Sequence, residues 1–224
     1  MDLRPVTLVD LSHVIEHGLV TYPGLPAPMI TPHLTRDDSR SVYAPGTEFA
    51  IDSITMVGNT GTYIDSPFHR YPDGADLAGL DLARLVHVPA VVVDCRGTGR
   101  RGIAARDLAE VDVQHRAVLL LTGWDRHFAT NRYGIDAPYL TEEGAMALAE
   151  AAAGLVGIDS VNIDDAVPNG PRPAHSVLLA AGIPIIEHLT GLDRLPATGS
   201  FFTALPPRIR GFGTFPVRAF ADVP

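Results

Sequence analysis

Asp65 and His69 stand four residues apart in GNTGTYIDSPFHRYPDG, residues 58–74. A carboxylate and an imidazole are standard ligands for Zn²⁺ or Mn²⁺. The same two groups also serve as a general acid/base pair. The competing reading is a turn aspartate bonded to backbone N–H groups, beside an exposed histidine. A catalytic metal needs more, about three protein ligands plus water. Two distant positions offer them. His175 opens a small apolar segment, AHSVLLAAG (174–182). Glu187 lies in IPIIEHL (183–189), an apolar run where a lone carboxylate is costly to bury. A cation is one partner that relieves that cost. NIDD (162–165) is a second acidic cluster, read as turn and cap chemistry. His188 follows Glu187, and strand alternation sends it to the opposite face, so it reads as structural.

These groups need a frame. VTLVDLSH (6–13), EFAIDSITMV (48–57), PAVVVDC (89–95), AVLLLTGW (117–124), LVGIDS and VNID (155–164) and IPIIEHL read as strands. RIRGFGTFPVRAFA (208–221) reads as strand, turn, strand. LVTYPGLPAPMI (19–30) is a proline-punctuated loop or edge segment, because proline donates nothing to a ladder. Apolar spacing predicts helices over DLAGLDLARLV (76–86), AARDLAEV (104–111), LTEEGAMALAEAAAG (140–154) and AHSVLLAAG. The third has a full set of end signals: Thr141 as N-cap, Glu142 and Glu143 in the first turn, Gly154 at the close. Residues 58–74 themselves read as a constrained loop. Strands outnumber helices and partly alternate with them, which predicts a mixed sheet with a few covering helices.

The chain has 224 residues, enough to bury a sizeable core as a single domain over 1–224. It is 46% hydrophobic and 19% charged, with a net charge of −9 and no run of Lys or Arg. Nucleic acid and anionic membrane surfaces are therefore not expected partners. No segment approaches about 18 consecutive apolar residues, so no membrane span is expected. One cysteine, Cys95, excludes an internal disulfide and fits a reducing, cytoplasmic setting. Nineteen prolines and 21 glycines are spread along the chain, which indicates many turns and short strands.

The sequence resembles a known family, the cyclase-type metal-dependent hydrolases, which include bacterial kynurenine formamidases (arylformamidases) and isatin hydrolases. The family signature is close to H-x-G-T-H-x-D-x-P-x-H, and residues 59–69 read N-T-G-T-Y-I-D-S-P-F-H. DLSHVIEHGLVTYPG, TGW (122–124), LVGIDSVNID, HSVLLAAGIPIIEHLTGL (175–192) and FFTALPPRIRGFGTFPVRAFA extend the likeness over the whole chain. The resemblance implies an α/β fold of the swivelling β/β/α type, with a barrel-like mixed sheet and helices outside. It also implies a small-molecule substrate and a homodimer or homotetramer. By position it makes Asp65, His175 and Glu187 metal ligands and His69 the general acid/base. Both histidines of the family's other metal site are replaced here, by Asn59 and Tyr63. An amide oxygen is a weak ligand and a neutral phenol a poor one, which argues against a two-metal centre.

The leading expectation is a hydrolase of a small amide, cyclic amide or lactone. Metal-activated water attacks a carbonyl, and His69 protonates the leaving group. One divalent metal, Mn²⁺ or Zn²⁺, suffices for that. Asn59 and Tyr63 then become substrate-contacting donors, with the Tyr63 hydroxyl placed to stabilise an oxyanion. Arg70 is positioned in sequence to meet a substrate carboxylate. Trp124, Tyr22, Phe68 and Phe49 are candidates for an aromatic pocket, against the commoner reading of aromatics as core. A metal-free or weakly metal-dependent cyclase or lyase using His69 and Tyr63 is the alternative. A non-catalytic binding protein on the same scaffold comes third, because His69, Asp65, His175 and Glu187 are all retained.

Overall fold

Two runs, Val88–Asp94 and Ala117–Leu121, are apolar at nearly every position, so neither of their faces belongs in water. The structure, a computed structural model that describes residues 7–223, buries both faces of a sheet built around them. Its first strands are β1 (Thr7–Asp10), β2 (Met29–Leu34), β3 (Ile51–Thr55) and β4 (Tyr63–Asp65). The middle of the chain adds β5 (Val88–Asp94), β6 (Gly102–Ile103), β7 (Ala117–Leu121), β8 (Tyr139–Leu140) and β9 (Leu155–Ile158). The last strands are β10 (Ile185–Glu187), β11 (Thr198–Leu205), β12 (Thr214–Pro216) and β13 (Arg218–Val223). The helices are α1 (Arg36–Ser39), α2 (Glu142–Glu150) and α3 (Pro173–Ala180).

Nine strands form one mixed sheet in the order β1-β13-β11-β5-β7-β9-β10-β4-β12, curled into a half-barrel. Strands β5, β7, β9 and β10 run parallel, and the flanking pairs are antiparallel. The continuation of β1 crosses inside the curl: Ser12 bridges Leu189, and the His13 N–H donates to Thr62 Oγ1. Alternation sorts the side chains. Ile64, Leu119, Leu121, Ile186 and Phe202 fill the inside of the curl. Val91, Val93, Val118, Leu120, Val156 and Ile185 pack outside, under Leu148 of α2 and Leu178 and Leu179 of α3. The expected mixed sheet with covering helices is what forms. Strands β2 and β3 make a separate two-stranded arm whose Met29, Ile30, Ile51 and Ile54 are exposed.

Several local expectations are corrected. Residues 58–74 are not all loop, because Tyr63–Asp65 is a fully buried strand near the sheet edge. Over 76–86 only a single 3₁₀ turn forms, at Leu82–Arg84, with Asp81 capping Ala83 N–H. Gly79 weakens the helix interior, and His87 takes a left-handed φ of 52° that ends it. Residues 104–111 likewise give only a turn at Ala105–Asp107. VNID forms no strand. Asn162 Oδ1 accepts the Asp164 N–H, a local bond that competes with a ladder. The 140–154 helix is Glu142–Glu150, with Thr141 Oγ1 accepting Gly144 N–H as predicted. Of the expected first strand, Val6 lies outside the described residues, as do the ends of the expected 1–224 domain.

Candidate active site

Three adjacent strands supply the floor of the site. The register sets Tyr63 opposite Glu187 across β4 and β10, and Asp65 opposite Thr214 across β4 and β12. Ile64 and Ile186 face inward, so Tyr63, Asp65 and Glu187 all point to the helix side. His175, in the first turn of α3, lies over them. His69 follows on the 3₁₀ turn Pro67–His69 directly after β4. The chain approaches itself closely here: a Cβ on Gly213 would sit 2.6 Å from His69 N, and only glycine avoids that overlap.

Asp65, His69 and His175 each present a ligand atom within 4.8 Å of the others. Glu187 Oε1 is 3.7 Å from His175 Nε2. Asp65 Oδ1 accepts from Thr214, whereas Oδ2 is buried with no hydrogen-bond partner and lies 3.6 Å from His175 Nε2. Asp164 accepts from three donors: Ala174 N–H at 2.7 Å, His175 N–H at 3.1 Å and His175 Nδ1 at 2.7 Å. It therefore caps α3 and orients His175 together. Tyr63 donates its hydroxyl to Glu187 Oε2 at 2.6 Å, and Ile163 N–H donates to Oε1. The hydroxyl expected to meet a substrate is thus engaged with Glu187.

Electrostatics favour a positive charge in this place. Burial disfavours the His175 imidazolium, but Asp164, Asp65 and Glu187 outweigh it and push the pKa up to about 10. Burial also resists ionisation of Asp65, yet His175, His69 and Thr214 hold its carboxyl below the ordinary value. Burial pushes Glu187 up to about 7. Asp65 Oδ2 has no hydrogen bond, and it and Glu187 Oε1 flank His175 Nε2 only at ion-pair distance, so two buried carboxylates and an imidazole converge where a divalent cation fits in place of the imidazolium proton. A folded-state pKa raised from 6.5 to about 10 gives cation-free protein a stabilisation that is complete below pH 6.5 and lost by about pH 10. A cation must displace that proton, so its affinity is expected to rise by about tenfold per pH unit over this window. Competition with a chromophoric chelator measures the slope, and His175→Gln should flatten it.

The remaining candidates divide. Asn59 is half-buried beside the Tyr63 hydroxyl. Arg70 is exposed beside His69, with Nε 3.5 Å from Ser176 Oγ. Phe68 is half-buried on the same turn. Trp124 donates Nε1–H to Tyr133 O and packs with Tyr133, Val161 and Tyr22 in a separate aromatic cluster. Asp159 holds the Trp124 turn by accepting Thr122 and Gly123 N–H. Phe49 is exposed against Tyr43, away from that cluster. His188 is fully buried, as a structural residue would be, but not by strand alternation. Its φ of 56° breaks strand alternation, and its ring bridges Tyr133 OH at 2.8 Å and Tyr63 OH at 3.3 Å. Thr214, Asp164 and His188 thus touch the site without having been singled out for it; for Asp164, the NIDD cluster was the available signal.

The family model described as Putative cyclase matches residues 9–165. This chain belongs to that cyclase family. Among its relatives, a kynurenine formamidase from Bacillus cytotoxicus is 28% identical over 211 residues, covering 94% of this chain and 95% of its own. A solved cyclase relative described as a potential metal-dependent hydrolase with cyclase activity has a TM-score of 0.79 at 27% identity, over 98% of this chain and 99% of its own. The fold is also that of an isatin hydrolase bound to the product analogue thioisatinate, with a TM-score of 0.83 at 24% identity, over 98% and 93% of the two chains.

Proposed function

We propose that this member of the cyclase family is a metal-assisted hydrolase that cleaves the non-peptide C–N bond of a small amide or cyclic amide, or the C–O bond of a lactone. Asp65, His175 and Glu187 would hold one divalent cation, Mn²⁺ or Zn²⁺. The observation that carries the proposal is the convergence of Asp65 Oδ2, buried and without a hydrogen bond, and Glu187 Oε1 on His175 Nε2. The whole-length likeness to a kynurenine formamidase supports the substrate class. A bound cation supplies water of lowered pKa and a polarised carbonyl. The protein's own groups do the rest. Asp164 accepts from Nδ1 of His175, which leaves Nε2 to face Asp65 and Glu187. Tyr63 and Ile163 N–H fix the Glu187 carboxylate. His69, whose side chain is 37% exposed at the rim, takes a proton from the attacking water and returns it to the leaving nitrogen or oxygen. Arg70 and Phe68, on the same turn, contact the substrate, as does Asn59.

The metal-free cyclase or lyase loses ground on one contact: the Tyr63 O–H it needs is donated to Glu187. Elemental analysis after dialysis against trace Mn²⁺ and Zn²⁺ tests the assignment, followed by assays on formanilides, cyclic amides and lactones with and without chelator. The expected result is about one cation per chain, lost in His175→Ala, and turnover that stops in chelator. Full turnover by cation-free protein would put the acid/base alternative in its place.

A further inference from the structure

Thr214 stands between two groups of the site. Its Oγ1 hydrogen-bonds Asp65 Oδ1 and lies 2.7 Å from His69 Nδ1. An ionised carboxylate accepts hydrogen bonds and donates none. The threonine proton therefore goes to Asp65. Its oxygen then has lone pairs free, and the proton that completes the second contact is the one on His69 Nδ1. Asp65 Oδ1 and His69 Nδ1 are themselves 3.7 Å apart, too far for a direct hydrogen bond, so the hydroxyl is what links them.

The surroundings hold this bridge in place. Thr214 is 5% exposed and pairs with Asp65 across the two strands. Ser66 N–H donates to Gly213 O at 2.8 Å, which fastens the strand carrying Thr214 to the turn carrying His69. Thr214 thus meets His69 along a path set by backbone on both sides. We propose that Thr214 is a positioning residue that fixes His69 in its Nδ1–H tautomer and leaves Nε2 as the open, proton-accepting atom. The catalytic consequence rests on the reading of His69 as the proton carrier. The tautomer itself does not.

The test reads both parts. Nitrogen-15 spectra of imidazole-labelled protein, with and without Zn²⁺, identify the protonated nitrogen of His69, assigned by its absence in His69→Gln. The expected result is a proton on Nδ1 in the wild type. Thr214→Val, which keeps the shape and removes the hydroxyl, is expected to lower kcat by about 10²-fold with KM unchanged, measured at saturating cation because the same change removes a hydrogen bond from Asp65. Thr214→Ser is expected to restore kcat. A proton on Nε2 in wild-type protein overturns the proposal, as does wild-type kcat in Thr214→Val or a loss that Thr214→Ser fails to recover. Should Thr214→Val not fold, the wild-type spectrum and the Thr214→Ser rate still decide. A chain with His69 protonated on Nδ1 that hydrolyses nothing would refute the hydrolase reading and leave the tautomer assignment standing.

Discussion

Replacing His69 with glutamine is expected to lower kcat for amide hydrolysis by about 10² to 10⁴-fold while leaving the bound cation in place. The side chain sits at the rim of the site, more than a third exposed, whereas Asp65, His175 and Glu187 are buried below it. Glutamine preserves length and polarity but neither accepts nor returns a proton at neutral pH. A parallel measurement of cation content separates two outcomes. Retained cation with lost turnover assigns His69 to proton transfer. Loss of the cation would make it a ligand instead, a role that its nearness to Asp65 and His175 also permits.

Replacing Asp164 with alanine is expected to cost both stability and cation affinity, although the side chain is placed on neither substrate nor cation. One carboxylate accepts two backbone N–H groups at the start of α3 and the ring N–H of His175. Losing the cap costs about 1 kcal/mol of stability. Losing the orienting bond is expected to weaken cation binding by about 10 to 100-fold. Urea midpoints and chelator competition read the two effects separately. A stability loss with unchanged affinity would restrict Asp164 to capping and count against His175 as a ligand.

Much of this was legible in the amino-acid sequence. The Asp65–His69 pair, His175 at a helix start and Glu187 on an apolar run stood out because each broke a local pattern in a way that chemistry explains. The β5 and β7 strands were visible as apolar runs, and α2 through Thr141. Other features needed the fold. The helical spacing over 76–86 reflected leucines placed in the core by turns, Leu77 and Leu85 among them. His188 escaped because alternation assumes extended backbone, and a left-handed φ at that residue voids the assumption. Thr214 carried no local signal. Its meaning comes from register with a strand 149 residues away.

That separation has a bearing on how the enzyme is made. The site's floor spans β10, β4 and β12, and β12 follows all the other segments that contribute to it. A nascent chain that has emerged only as far as β11 holds Asp65 and His69 but has nothing to set the strand edge beside them. Pairings between such distant segments form slowly, because the loop must close before any contact stabilises it. Catalytic competence should therefore arrive late and abruptly in biosynthesis, with the chain chemically silent until its closing strands have been added.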